Sequence, residues 1–150
     1  MTVTTYKIRA TSILTGGPAT VDTPLDLVIN HECYAATLTA PASQTAFYFL
    51  GDADVSLTFG VFTTVPTGCL VNYDLFQSDG TTPYDAALFN YLESSTDEVV
   101  TFKSTIDQTL VGTRTSVIKG NVVYGTATAT TSAIFDVINN PCLSSVVGTG

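Results

Sequence analysis

An all-β antiparallel sandwich is the fold class that this sequence predicts, and three observations predict it. Threonine occurs 27 times in 150 residues, beside plentiful Val, Phe and Tyr. β-Branched and aromatic side chains suit a pleated strand and lose rotamer freedom in a helix. Apolar and polar residues alternate with period two in segment after segment, the pattern of a half-buried strand. Gly, Pro, Asp and Asn end these segments at short intervals, and short strands at such spacing indicate a sandwich or barrel. The length suffices for one well-cored domain, or for one domain plus a fragment of another.

The strands follow in order. Tyr6-Lys7-Ile8-Arg9-Ala10 alternates, and Thr15-Gly16-Gly17-Pro18 turns the chain. Leu25 to Ile29 is a strand, and Tyr34 to Ala40 another. Pro41-Ala42-Ser43 breaks the chain before Phe47-Tyr48-Phe49-Leu50, and Gly51 to Asp54 is a turn. Val55, Leu57, Phe59 and Val61 mark one long strand to Val65, ended by Pro66-Thr67-Gly68. Leu70 to Phe76 places Val71, Tyr73 and Leu75 on one face. Ser78 to Pro83 is a turn-rich loop, and Ala86 to Leu92 reads as a short helix. Val99–Thr105, Thr113–Ile118, Val122–Thr128 and Ala133–Ile138 complete the strands.

An internal repeat organises the chain. Leu25-Asp26-Leu27-Val28-Ile29-Asn30-His31-Glu32-Cys33 matches Ile134-Phe135-Asp136-Val137-Ile138-Asn139-Asn140-Pro141-Cys142, with Val-Ile-Asn-x-x-Cys common to both. The offset, 109 residues from Cys33 to Cys142, is about the size of one sandwich domain of roughly 100 residues. If the motif closes a unit, residues 1–33 are the last two strands of one unit and 34–142 a complete one. Residues 143–150 then begin the next unit or form a C-terminal tail. Two strands alone leave unpaired edges and an unburied face, so the first segment needs a partner.

The closing strand Ile134–Cys142, the strand Leu57-Thr58-Phe59, Gly68-Cys69, and Val111-Gly112-Thr113 leading into a penultimate strand resemble tandem immunoglobulin-like repeats of extracellular surface and filament proteins. The resemblance covers 34–142, with 1–33 as a partial copy. It implies an immunoglobulin-like antiparallel sandwich with an extra N-terminal strand pair, and a structural or adhesive role. The antibody pattern of two sheet-bridging cysteines around a tryptophan is missing, since the chain has no Trp.

Charge narrows the partners. Thirteen acids against five bases give a net charge of −8, unsuited to nucleic acid, whose phosphates need Lys and Arg, and to an anionic membrane surface. Charged residues are 12% of the chain, half of the ordinary quarter or so. No stretch reaches the length of a membrane-spanning helix. The N-terminal residues lack the charged and apolar regions of a signal peptide.

The three cysteines contain no Cys-x-x-Cys pair, so the spacing of a metal site is absent. Cys33 precedes the first strand of the complete unit and Cys69 follows the long Val55–Val65 strand. Both fall at one end of the sandwich, and they are expected to form a disulfide. Cys142, equivalent to Cys33 by the repeat, is expected to bond the counterpart of Cys69 in a neighbouring unit.

Nothing in the chain reads as an enzyme active site. The single histidine, His31, stands near Cys33 without a third group to orient it, and reads as a solvated linker residue. Asp52 and Asp54 read as turn residues, although clustered oxygens also suit calcium. Asp97 and Glu98 are neighbours and point to opposite faces, unsuited to a catalytic carboxylate pair. Twelve aromatics, among them Phe47, Tyr48, Phe49, Phe59, Phe102 and Phe135, read as a core with a few exposed tyrosines. A sugar-binding platform is the competing reading.

No cofactor and no catalytic or metal residue is expected. The sequence leads to a structural subunit of an extracellular filament or surface assembly, built by strand complementation between copies of itself or flanking repeats. The expected inter-subunit strands carry Tyr6, Ile8 and Ala10, and Leu25, Leu27 and Ile29. A carbohydrate- or ligand-binding adhesin module is the alternative, with glycans as partners, and a virion decoration protein fits the same composition.

Overall fold

The computed structural model describes residues 2–12, 19–29, 31–94 and 96–144. Eleven strands account for most of them: β1 (Thr2–Ser12), β2 (Ala19–Ile29), β3 (Thr37–Thr39), β4 (Gln44–Phe49), β5 (Val55–Gly60), β6 (Thr63–Val65), β7 (Val71–Gln77), β8 (Phe89–Glu93), β9 (Asp97–Phe102), β10 (Gly112–Val122) and β11 (Thr128–Ile138). One sheet has the order β4-β11-β10-β7. The facing sheet has the order β5-β9-β8, and β3-β6 form a separate two-stranded sheet. The fold is all-β and immunoglobulin-like, and β1 and β2 form an extra two-stranded sheet before it.

All pairings are antiparallel except one. β4 runs parallel to β11, from Gln44 opposite Ala133 to Phe49 opposite Ile138. Pro41 lies where the chain leaves β3 on one sheet and crosses to β4 on the other.

Several elements depart from their sequence expectation. Tyr34 to Ala40 is not one strand: a 3₁₀ turn over Glu32–Ala35 precedes the short β3. The long Val55–Val65 strand breaks at Val61 and Phe62, where buried Phe62 turns in against Tyr73. The helix expected over Ala86–Leu92 is a turn followed by β8. There the Asp85 carboxylate accepts from the Ala87 amide, and Phe89 is drawn into the aromatic core as the first residue of the strand. Val122–Thr128 is a turn between two strands, because β10 runs four residues past Ile118. The Thr15–Pro18 turn lies outside the described residues.

The core is aromatic. Phe102 packs on Tyr48, Phe89 and Phe135 with ring centroids 4.9, 5.5 and 5.4 Å apart. Leu50, Phe59, Val100 and Ile118 are buried with them. Tilted and edge-on ring contacts of this kind add about 0.5–1.5 kcal/mol per pair beyond area burial. The Tyr48 hydroxyl is satisfied as well: it donates toward the backbone carbonyls of Asp52 and Thr105 and accepts from the Thr105 amide. It thereby pins the 51–54 turn to the end of β9.

The first hairpin repeats the last one. β1 and β2 are each eleven residues long, as are β10 and β11. Adding 109 to both members gives a β10–β11 pair for ten of the eleven β1–β2 pairs, so Thr5↔Asp26 falls on Arg114↔Phe135. The pleat, however, does not follow the letters. At that offset Asp26 meets the place of buried Phe135, and Leu27 the place of outward Asp136. Shifting β1 by 110 and β2 by 108 keeps the same ladder and restores the faces. Ile8↔Thr23 then falls on Ile118↔Thr131, and Ala10↔Val21 on Gly120↔Ala129.

Candidate functional site

The sandwich has two distinct poles. At one, Cys33 and Cys69 form a disulfide with a Cα separation of 5.6 Å, buried beside Ala36 and Val122. The sequence builds this pole from the chain entering the fold. His31 caps the 3₁₀ turn, its Nδ1 accepting from the Cys33 amide at 3.1 Å, and its ring stacks on Tyr124 at 4.9 Å. Tyr124 itself adopts a left-handed backbone with φ of 63°. At Gly125 a Cβ would lie 2.6 Å from the Cys33 carbonyl oxygen, so only glycine lets the 122–127 turn close onto the disulfide. With its sulfur in the disulfide, Cys33 presents no thiol to His31.

At the other pole, Phe47 and Phe49 on β4 are 67% and 44% exposed, Val111 45% and Ile138 36%. Phe49 stands opposite Ile138 and Phe47 opposite Asp136, on the outer side of the sheet. Sequence reasoning missed this patch. It assigned these phenylalanines to the core and left exposure to tyrosines. The signal was present in the order Phe47-Tyr48-Phe49, because alternation buries only the middle residue once Tyr48 faces inward.

β4 ends its sheet, so its outer edge carries backbone groups with no ladder partner among the described strands. Gln44–Phe49 contains no charge, proline or glycine, the devices that ordinarily blunt an edge. The opposite edge, β7, is covered at its Leu75–Gln77 end: the Gln77 amide donates to Thr82 O at 2.8 Å, and Phe76 bridges to Pro83.

The register of β1–β2 places Tyr6, Ile8 and Ala10 on the same face of the hairpin as Val21, Leu25, Leu27 and Ile29. Lys7 and Arg9 alternate to the other face with Asp22, Pro24 and Asp26. Among the described strands β1 and β2 pair only with each other. Cys142 is exposed within the short helix Pro141–Ser144, past the end of β11 and outside the Cys33–Cys69 bond.

Two further polar features are built into the fold. Glu98 faces inward on β9 and is completely buried. Its Oε2 accepts from the Tyr91 hydroxyl at 2.5 Å, and its Oε1 has no partner. Burial raises the Glu98 carboxyl above the ordinary carboxylate range, the Tyr91 hydrogen bond opposes this, and Glu93 and Asp97 add to the rise. Burial and Glu98 likewise push Tyr91 far up, so it stays a donor. A cleft of about 290 Å³ lies between β7, β10 and the 84–89 segment, lined by Gln77, Tyr84, Asp85, Phe89, Arg114 and Ser116 among others.

The Asp52–Asp54 turn uses its oxygens internally. Asp54 Oδ1 accepts from the Ser104 amide at 2.7 Å, and Asp52 O from the Ser104 hydroxyl. Among the described residues no three His, Cys, Asp or Glu side chains gather as metal ligands. Nor is any described helix long and apolar enough to cross a membrane.

No protein-family model matches the chain, and no curated protein matches it in sequence. Solved structures do match its fold. A chimeric titin Z1Z2 carrying an exogenous decorin peptide is 15% identical over 70% of this chain and 95% of its own, with a TM-score of 0.50. The titin domains z1z2 in complex with telethonin are 12% identical over 73% of this chain and 51% of their own, with a TM-score of 0.51. An endo-fucoidan hydrolase from glycoside hydrolase family 107 is 11% identical over 98% of this chain and 20% of its own, with a TM-score of 0.50. At these identities the likeness is one of architecture, and the architecture is that of immunoglobulin-like domains.

Proposed function

We propose that the chain is a structural subunit of an extracellular filament or surface assembly, in which the β1–β2 hairpin of each copy completes a sheet of the next. The observation that carries this reading is the hairpin itself. It repeats the ladder of β10–β11, yet β10–β11 already fills that place in the sandwich, and β1–β2 stands outside both sheets. A two-stranded ribbon with an apolar face is marginal in water on its own. Docking it on another copy removes that cost, and head-to-tail repetition of a heterologous contact builds an open fibre.

The buried disulfide supports an oxidising, extracellular location. Low charge and many Thr hydroxyls suit an exposed scaffold. The reading divides the chain into a donor segment, 1–33, a complete sandwich, 34–142, and a tail, and it assigns no reaction and no cofactor.

Deleting residues 1–32 tests it. The expected product is a folded monomer by light scattering and circular dichroism, with no fibres in electron micrographs. A deletion product that unfolds shows that the segment belongs to its own sandwich. One that still polymerises shows that the hairpin is not the donor. Either result ends the reading.

The cleft beside β10 favours a second reading, a glycan-binding adhesin module. Tyr84 offers a ring face, Arg114 and Asp85 offer hydrogen bonds, and Ser116 Oγ is buried without a partner. A glycan array on the assembled protein, with Tyr84→Ala as control, separates it from a purely structural role.

A further inference from the structure

We infer that the outer edge of β4, flanked by Phe47, Phe49, Val111 and Ile138, receives β1 of the hairpin from a second copy of this chain. This rests on the strand-exchange reading above and names its acceptor.

The acceptor is chosen by its edge and by its patch. Of the two edges of the four-stranded sheet, β7 is covered from Leu75 to Gln77 by the 82–84 segment and carries the charge of Asp74 beyond it, whereas β4 is open along its length. An open edge of six residues without charge, proline or glycine is a template for strand addition. Phe47 and Phe49 stand on its outer side, where cross-strand neighbours of an added strand lie about 5 Å away. β1 offers Tyr6, Ile8 and Ala10 at alternate positions for those neighbours. β2 is the poorer donor, because Pro24 lacks an N–H in mid-strand.

The occupant is chosen by charge and by reach. Residues 2–29 carry Lys7, Arg9, Asp22 and Asp26 and are neutral, so the whole net charge of −8 falls on the remainder. Two bodies of this charge repel, whereas a neutral hairpin meets either body without that repulsion. The hairpin enters at the disulfide pole, since only Asn30 separates β2 from His31. The patch lies at the far pole, roughly 33 Å away along β11. An eleven-residue hairpin spans about that length. Donor and acceptor at opposite poles give a head-to-tail contact that does not close.

The test uses full-length chains. Phe47→Lys/Phe49→Lys blocks the acceptor with charge on exposed positions, Ile8→Lys/Leu27→Lys blocks the donor, and Leu92→Lys places charge on an exposed residue elsewhere. Each is sized by light scattering, alone and in mixtures. The expected result is monomers for both double variants, a 1:1 complex when they are mixed, and wild-type polymers for Leu92→Lys.

If the Phe47/Phe49 variant still polymerises while the Ile8/Leu27 variant does not, the acceptor lies elsewhere and this inference falls, leaving strand exchange intact. If the Ile8/Leu27 variant polymerises, strand exchange itself falls. A photo-crosslinker at position 47 of the wild-type background gives an independent reading. Bonds to residues 2–12 of a second, isotopically labelled copy support the inference. Bonds within one copy, or to any other segment, overturn it.

Discussion

Replacing Glu98 by glutamine keeps the shape of a buried side chain and removes its charge, and the structure sets the direction in which stability then depends on pH. Glu98 lies wholly inside the sandwich, with Tyr91 donating to one oxygen and nothing donating to the other. Burial raises its proton affinity in the folded state. The folded protein therefore holds this proton at pH values where the unfolded chain, with a carboxyl near about 4.3, has lost it.

Stability from this group is fully present below the unfolded value and is lost as pH rises through the folded one. The slope is at most about 1.4 kcal/mol per pH unit, the value of a single proton. Above the folded value the loss is complete and the curve is flat. Glutamine does not titrate, so wild-type stability minus that of Glu98→Gln should fall with pH and then level.

Urea unfolding followed by circular dichroism between pH about 4 and about 8 measures the difference. Asp79, held near 2 by the Thr82 and Thr81 hydrogen bonds, and Asp107, lowered by Thr109, titrate in the opposite sense at lower pH and cancel between the two proteins. A difference that is flat across this range, or that rises with pH, refutes the assignment of a buried, proton-holding carboxyl.

Three further outcomes follow from the packing. The Cys33–Cys69 bond closes 36 residues, so Cys33→Ser/Cys69→Ser should lower the unfolding free energy by about 4 kcal/mol in the chain-entropy account; a change in denaturant midpoint equivalent to less than about 1 kcal/mol contradicts it. Gly125→Ala forces a methyl to within 2.6 Å of the Cys33 carbonyl oxygen. It should cost roughly 1–3 kcal/mol, and an unchanged melting temperature contradicts the close approach. Phe135→Ala empties the centre of the aromatic cluster and should cost about 3–5 kcal/mol, with the near-ultraviolet dichroism of the buried rings reduced; an unaffected spectrum shows that the rings do not interlock.

The strands were legible wherever alternation was long and local. Val55–Phe59, Val71–Leu75 and Ile134–Val137 declare one buried face by period two, and the structure buries that face. What stayed hidden depends on contacts distant in sequence. Ala86–Leu92 is apolar enough for one helical turn, but Phe89 is claimed by Phe102 and Phe135, and tertiary packing overrides local preference. Phe47 and Phe49 looked like core because phenylalanine usually is. Their exposure follows from Tyr48, whose hydroxyl reaches Thr105, 57 residues away. The parallel pairing of β4 with β11 was hidden for the same reason, since a parallel partner lies across a long connection. From sequence Asp97 and Glu98 read only as neighbours on opposite faces; which of them turns inward is set by the alternation of Glu98 with Val100 and Phe102, all three buried on one face.

The repeat shows why matching letters and matching structure are separate questions. Val-Ile-Asn-x-x-Cys aligns the two hairpins at an offset of 109, and the ladders agree at that offset. The side-chain period of a strand is two, so a shift of one residue exchanges its faces. Moving β1 forward by one and β2 back by one preserves ten of the eleven ladder pairs and exchanges both faces together. The movement needs only a turn two residues longer. Six residues separate Ser12 from Ala19, and four separate Val122 from Ala127 where the second hairpin closes through the Val122 amide and Ala127 carbonyl. The first hairpin thus keeps the ladder of the second and places Ile8, Leu25, Leu27 and Ile29 at register positions whose counterparts on β10 and β11 face the core. A segment selected only to link domains has no reason to retain an eleven-pair ladder and an apolar face at once. Both features are what the proposed docking on the sheet of another copy would use.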